Sequence, residues 1–182
     1  MKRQTKQKLR KFGKFCLMVA GSGCVIALGF YRCQHYFTLN ITASMPVGLY
    51  KFAETEITVN DDVLLCPPEK AANFAVGRKY LLKGSCPGGS VPLIKQVAAL
   101  PGDNVRVDEN GISVNGVLLP KTKPLKTDSL GREMPKLDMT KKLKKGECLV
   151  VSHDDEKGYD SRYFGVVDFQ RLKKVEPFLV AE

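Results

Sequence analysis

The hydrophobic pattern divides the chain into one long apolar run and a series of short, strand-like ones. Residues 15–31 carry no charge and are closed by Arg32. Beyond them, residues 36–59 alternate loosely, with Phe37, Leu39 and Ile41 before a polar break and Leu49, Tyr50 and Phe52 after it. Asn60, Asp61 and Asp62 predict a turn, and Val63, Leu64 and Leu65 a short buried strand. Residues 66–79 read as a surface excursion with one or two helical turns over 69–76, and the glycines and proline of 83–90 exclude regular structure there. Residues 91–100 predict a strand on which Leu93, Lys95 and Val97 share a face. Asn110-Gly111 and Asn115-Gly116, set among short alternating runs, predict consecutive tight hairpins. Residues 120–145, rich in Lys and Pro, predict an extended surface loop, with the lysines of 141–145 solvated. A buried strand over 146–151 opens into a polar loop, 152–159, and Val166 and Val167, then residues 175–180, close the sheet. No segment repeats and no second long apolar run appears, so the fold after the first run is predicted to be mostly β.

Composition sharpens the reading of that first run. The chain has 182 residues, 43% hydrophobic and 26% charged, enough for one folded domain and an extra segment. Its net charge of +10 is concentrated in residues 1–14, which hold seven basic residues and no acid. The remainder is close to neutral, which argues against a nucleic-acid groove. A basic flank leading into an apolar segment is the pattern of a signal anchor, and no small-residue cleavage site precedes Ala43. The expected organisation is a basic cytoplasmic tail (1–14), a short transmembrane signal anchor (15–31) and a domain outside the cytoplasm (32–182). Cysteine usage agrees with export. Cys16, Cys24 and Cys33 sit in or beside the anchor, Cys148 reads as a core residue, and Cys66 and Cys86 fall in Pro-rich loops. The last two are the disulfide candidates, closing a loop whose entropy is worth about 3 kcal/mol. Neither a CxxC pair nor a Cys/His zinc spacing is present.

Candidate chemistry centres on residues 40–50. Pro46 lacks an N–H and biases Met45 towards extended geometry, so Ser44 is expected on a stiff turn leaving a strand. A serine there is a nucleophile if a neighbour accepts its proton. Two partners are available. His153 would make a triad with an aspartate, but it sits among Asp154, Asp155 and Glu156, which favour its protonated form. Lys95 lies on an apolar strand face, where desolvation lowers a lysine's pKa towards that of a general base; the bland alternative is an edge-strand lysine pointing to solvent. In a Ser44–Lys95 dyad, the Ser44 N–H and the Thr42 hydroxyl would line the oxyanion hole.

Three ordered motifs carry a resemblance. Ser44-Met45-Pro46, then Ile94-Lys95-Gln96-Val97 leading into Leu100-Pro101-Gly102-Asp103, then Asp160-Ser161-Arg162-Tyr163-Phe164-Gly165 resemble those of the type I signal peptidase family of serine/lysine peptidases. The Ser-Met-Pro-Val-Gly-Leu-Tyr form, the Cys-Pro-Pro and Cys-Pro-Gly-Gly loops and the short anchor look more like its conjugative-transfer branch, the TraF-type peptidases that mature pilin subunits. The resemblance implies a signal-peptidase-like antiparallel β fold with an N-terminal transmembrane helix. It implies Ser44 as nucleophile, Lys95 as general base, Thr42 in the oxyanion hole and Asp160 as a third essential polar residue, with Arg162 supporting Asp160 from the same strand face. It implies no metal or organic cofactor. The partners would be a pilin precursor, inner-membrane lipid and a transfer apparatus, with the catalytic domain in the periplasm. Two departures stand out. Gly158 occupies the place where most leader peptidases have a serine that helps orient the lysine, so that role is vacant or passes elsewhere, with Asp160 a candidate. Gln96 stands where a basic residue usually follows the lysine. Other readings are a general leader peptidase, a self-cleaving repressor, which would need a soluble DNA-binding region upstream, and a non-enzymatic assembly protein.

Overall fold

The computed structural model describes residues 29, 32, 35–42, 44–153 and 155–181. The basic tail, nearly all of the apolar run and Cys16, Cys24 and Cys33 lie outside the described residues. Among the described residues no helix is long and apolar enough to cross a membrane. The chain divides into two units, Met1–Thr38 and Leu39–Glu182. In the first, a turn is closed by the His35 N–H donating to the Arg32 carbonyl at 3.2 Å. The second holds the residues of the site.

In chain order the strands are β1 (Phe37–Asn40), β2 (Gly48–Phe52), β3 (Asp62–Leu65), β4 (Leu93–Ala99), β5 (Asn104–Asp108), β6 (Gly111–Val114), β7 (Val117–Leu118), β8 (Met139–Lys142), β9 (Glu147–Val151), β10 (Val167–Asp168) and β11 (Lys173–Val180). Between the strands lie α1 (Glu69–Gly77), between β3 and β4, and α2 (Ser161–Phe164), between β9 and β10, with a 3-10 turn at Phe169–Arg171 after β10. The strands form a seven-stranded sheet in the order β1-β2-β11-β3-β4-β9-β10 and a four-stranded sheet in the order β7-β6-β5-β8. The pairings of β2 to β11 are antiparallel. The fold is therefore mostly antiparallel β, as the alternation in the sequence predicts.

β4 is the strand that matters most. It lies between β3 and β9, with Val63 opposite Lys95 and Val150 opposite Val97. A central strand is covered on both faces, which is why it reads as an unbroken apolar run apart from Lys95 and Gln96. Val97 packs with Val63, Leu65, Cys148 and Val150, while Ile94 on the other face packs with Met45, Tyr50 and Val175. Ala98 and Ala99 join the smaller sheet's core of Val105, Val107 and Ile112. The small alanines allow the second sheet to approach closely.

Two local features depart from the sequence reading. Residues 139–142 form β8, paired to β5, so the expected loop over 120–145 ends in a strand. Lys141 donates to Glu147 at 2.7 Å and Leu143 is buried, so the lysine run is part of the sheet rather than a wholly solvated stretch. The other is β11, which reaches from β3 to β2 with Pro177 inside it. Of β11, Lys173 and Lys174 pair with β3, and the register against β2 shifts between Pro177 and Leu179. A proline is tolerated where its missing N–H falls at such an irregularity.

Candidate active site

Ser44 sits on the turn between β1 and β2, half-buried, and the turn is held from three sides. Asn40, buried at the end of β1, donates through Nδ2 to the carbonyls of Thr42 and Met45 at 2.9 Å and of Pro46 at 3.0 Å. Its Oδ1 accepts from the Thr42 N–H at 3.1 Å and from Thr42 Oγ1 at 2.8 Å. Met45 is a buried plug against Tyr50, Ile94 and Val175, and the Tyr50 hydroxyl donates to the Pro46 carbonyl at 2.8 Å. The His153 N–H, just past β9, donates to the Ser44 carbonyl at 3.1 Å. Neighbours thus satisfy the carbonyls of Thr42, Ser44, Met45 and Pro46 and the Thr42 N–H. Ser44 Oγ lies 3.2 Å from Thr42 Oγ1.

Lys95 is 2% exposed, although it carries a charge when protonated. A central position in the sheet rules out the edge-strand, solvent-facing lysine. Burial pulls its pKa down to about 8, and the Arg162 guanidinium acts in the same direction. Asp160 and Asp155 oppose the shift without cancelling it. Lys95 Nζ donates to Ser152 Oγ at 2.7 Å. Ser44 and Lys95 both line a cavity of about 320 Å³, with Thr42, Leu93, Tyr80 and Tyr159 among its other walls. They share this space without a hydrogen bond between Ser44 Oγ and Lys95 Nζ, a looseness common in catalytic pairs before substrate enters.

Asp160 and Arg162 lie beneath Lys95, essentially inaccessible to solvent. Arg162 donates through Nε to Asp160 Oδ1 and through its terminal nitrogen to Oδ2, both at 2.8 Å, a two-pronged pair. Its other donors reach the carbonyls of Glu156 at 2.7 Å and Asp155 at 3.3 Å, which ties down the polar loop. The pair sits at the start of a helix rather than on a strand face: Asp160 is the N-cap of α2 and accepts from the Arg162 N–H at 3.1 Å. Asp160 Oδ2 also accepts from the Ser152 N–H at 2.8 Å. Asp160 therefore meets Ser152, which in turn meets Lys95.

His153 is exposed, and it is the backbone N–H that links it to Ser44. Cys66 and Cys86 are joined in the structure, with 5.5 Å between their Cα atoms. The bridge ties the entrance of α1 to the loop before β4. Among the described residues no three His, Cys, Asp or Glu side chains gather as metal ligands would. Two residues escaped the sequence reading. Asn40 looks like an ordinary turn former, and its signal is a polar residue closing an apolar strand just before Ser44. Ser152 looks like the first residue of a polar loop, and its link to Lys95 depends on the β4–β9 pairing, which local pattern does not reveal.

Comparisons with known proteins identify the family. A family model described as signal peptidase, peptidase S26, matches residues 9–176. The chain belongs to that family. Among its relatives is a plasmid transfer protein TraF of Escherichia coli, 36% identical over 139 residues, 75% of this chain and 78% of that protein. Another E. coli protein of the same name is 31% identical over 167 residues, 91% of this chain and 93% of the relative. A conjugal transfer protein TraF of Agrobacterium tumefaciens (strain 15955) is 36% identical over 135 residues, 72% and 74% of the two chains. A crystal structure of a signal peptidase I from Enterococcus faecalis V583 aligns with a TM-score of 0.40 at 16% identity, covering 69% of this chain and all of that one.

Proposed function

We propose that this S26-family peptidase is a Ser44–Lys95 endopeptidase that processes a pilin precursor for conjugative transfer. The observation that carries the reading is a lysine buried in a central strand, with its pKa pulled to about 8, opening on the same cavity as Ser44. A neutral amine can accept a proton, and an ordinary lysine near neutral pH cannot. In the acylation step Lys95 Nζ takes the Ser44 Oγ proton as Oγ bonds to the scissile carbonyl carbon. The oxyanion meets the Ser44 N–H and the Thr42 hydroxyl, once that hydroxyl turns from Asn40. The C–N bond then breaks, and the lysine ammonium passes its proton to the leaving amine. An acyl ester on Ser44 remains. Water releases it to give a linear product, or the pilin's own N-terminal amine attacks to give a cyclic one.

The relatives' names, plasmid and conjugal transfer proteins, support transfer as the setting. The basic stretch followed by the uncharged run of 15–31 supports a single-pass anchor with the catalytic domain in the periplasm. Leu39 on β1, Ile41 after it, and Phe178 and Leu179 on β11 are exposed on strands flanking β2, an apolar surface suited to lie against lipid. Ser44, twelve residues past Arg32, would then meet substrates held at the membrane. The family description itself favours a second reading, a general leader peptidase with many exported substrates.

The test is the intact mass of the cognate pilin from cells carrying wild-type enzyme, Ser44→Ala or Lys95→Ala. The proposal expects trimmed pilin with the wild type and full-length precursor with either variant. A trimmed product lighter than its linear sequence by one water identifies cyclisation. Identical mature pilin in all strains contradicts the proposal. Rescue of a leader-peptidase deficiency by the wild type then supports the general reading.

A further inference from the structure

Ser152 and Gly158 face each other across the polar loop after β9, and there is room between them for one side chain. Lys95 Nζ donates to Ser152 Oγ at 2.7 Å, and the Ser152 N–H donates to Asp160 Oδ2 at 2.8 Å. Asp160 is gripped in turn by Arg162. A continuous buried chain thus runs from Arg162 through Asp160 and Ser152 to the amine. Gly158 does not adopt the left-handed backbone that favours glycine, so conformational freedom is not why it is glycine. Space is the reason. A Cβ added at Gly158 would overlap Ser152 Oγ and Cβ. A side chain at 158 and the hydroxyl that reaches Lys95 exclude one another.

We infer that Ser152 is the positioning residue for Lys95, and that Gly158 lacks a side chain because the Ser152 hydroxyl fills its place. The inference rests on the reading of Lys95 as general base. A neutral amine has two N–H bonds and one lone pair. Committing one N–H to Ser152 Oγ stops free rotation about the Cε–Nζ bond and narrows the directions open to the lone pair. A base that must meet the Ser44 proton within hydrogen-bond reach gains from that restriction. Asp160 fixes Ser152 by its backbone, so the hydroxyl is held even when the substrate moves the rim of the cavity. Ser152 does not line the cavity, so its removal spares substrate contacts.

The full-length chain in detergent, acting on a precursor that the wild type cleaves, tests this with four variants. Ser152→Ala and Ser152→Gly should each lower kcat about 100-fold with KM little changed, the cost of a misplaced base. Their pH–rate midpoints should move to lower pH, because the protonated amine loses a hydrogen-bond acceptor; a purely structural role would leave the midpoint in place. Gly158→Ser alone should also lose activity, because it displaces the Ser152 hydroxyl. Ser152→Gly combined with Gly158→Ser should recover at least about tenfold over either single change, since a hydroxyl again reaches the same space from the opposite side. Ser152→Ala keeps the β-carbon and the loop, so it carries the test if the double variant fails to fold. Wild-type kcat and midpoint in Ser152→Ala, with Lys95→Ala inactive, overturn the inference. Full activity in Lys95→Ala overturns instead the reading on which it rests.

Discussion

Two ionic clusters flank the same cavity, and they solve opposite problems. Beneath it, Lys95, Ser152, Asp160 and Arg162 are all buried and joined by hydrogen bonds. At its rim, Asp128 accepts from the Tyr80 hydroxyl at 2.5 Å and from Arg132 Nε at 2.7 Å, with Arg78 at 3.8 Å. Burial alone would raise the Asp128 pKa, but hydrogen bonds from Tyr80, Arg132 and Leu130 hold the carboxyl well below the usual carboxylate range. The rim arginines remain partly open to solvent. Water reaches the arginines at the rim, while the Asp128 side chain is itself largely enclosed by its partners. Water is shut out from the Asp160–Arg162 pair behind Lys95. Arginine–aspartate pairs therefore fasten a surface loop in one place and stand behind a buried amine in the other.

The buried cluster is where substitution should cost most. Arg162→Ala leaves Asp160 as an uncompensated buried charge and frees the loop carbonyls of residues 155 and 156, so chemical denaturation should show a loss of about 3–5 kcal/mol. A loss no larger than that of a surface pair would mean that water enters the cluster, and the contrast between the two regions would collapse. At the rim, Arg132→Ala should cost less than Arg162→Ala in the same denaturation experiment, because Asp128 keeps the Tyr80 hydroxyl and Arg78 as partners and water reaches the place the arginine leaves. Asp128→Asn should behave similarly and leave kcat unchanged. A large kcat loss there would make the rim network part of the chemistry rather than a clasp on the loop.

The sequence carried these two regions unequally. The buried strand around Lys95 was legible because Leu93 and Val97 flank a lone lysine with the period of a strand. The Ser44 turn was legible from Pro46 and the change of pattern on either side. The clamp by Asn40 was not, because one asparagine before a turn has the same local signature whether it satisfies five backbone and side-chain groups or none. The Ser152 link requires β9 to lie beside β4, and the Asp128 link requires the 120–138 excursion to fold back on Tyr80. Both are non-local, and periodicity records only which face is apolar, not which strand adjoins it. The lysines of 141–145 misled for a related reason: composition signals solvation, while Leu143 and the pairing of β8 with β5 anchor the segment.

The central claim is that Lys95 is neutral when it acts, and the pH dependence of single-turnover acylation by the full-length enzyme measures that most directly. The lysine's pKa falls from an ordinary 10.5 to about 8 in the folded protein. Below pH 8 it is protonated in both folded and unfolded chains, so the burial cost is fully present and the base is unavailable. As pH rises from 8 towards 10.5 the folded state holds fewer protons than the unfolded one, which relieves that cost and stabilises the fold. The account predicts a rate that climbs with a single ionisation and levels off above about pH 8, with no such rise in Lys95→Ala. A plateau already reached near pH 6.5, and lost on replacing His153, would contradict it and transfer the role of base to the histidine.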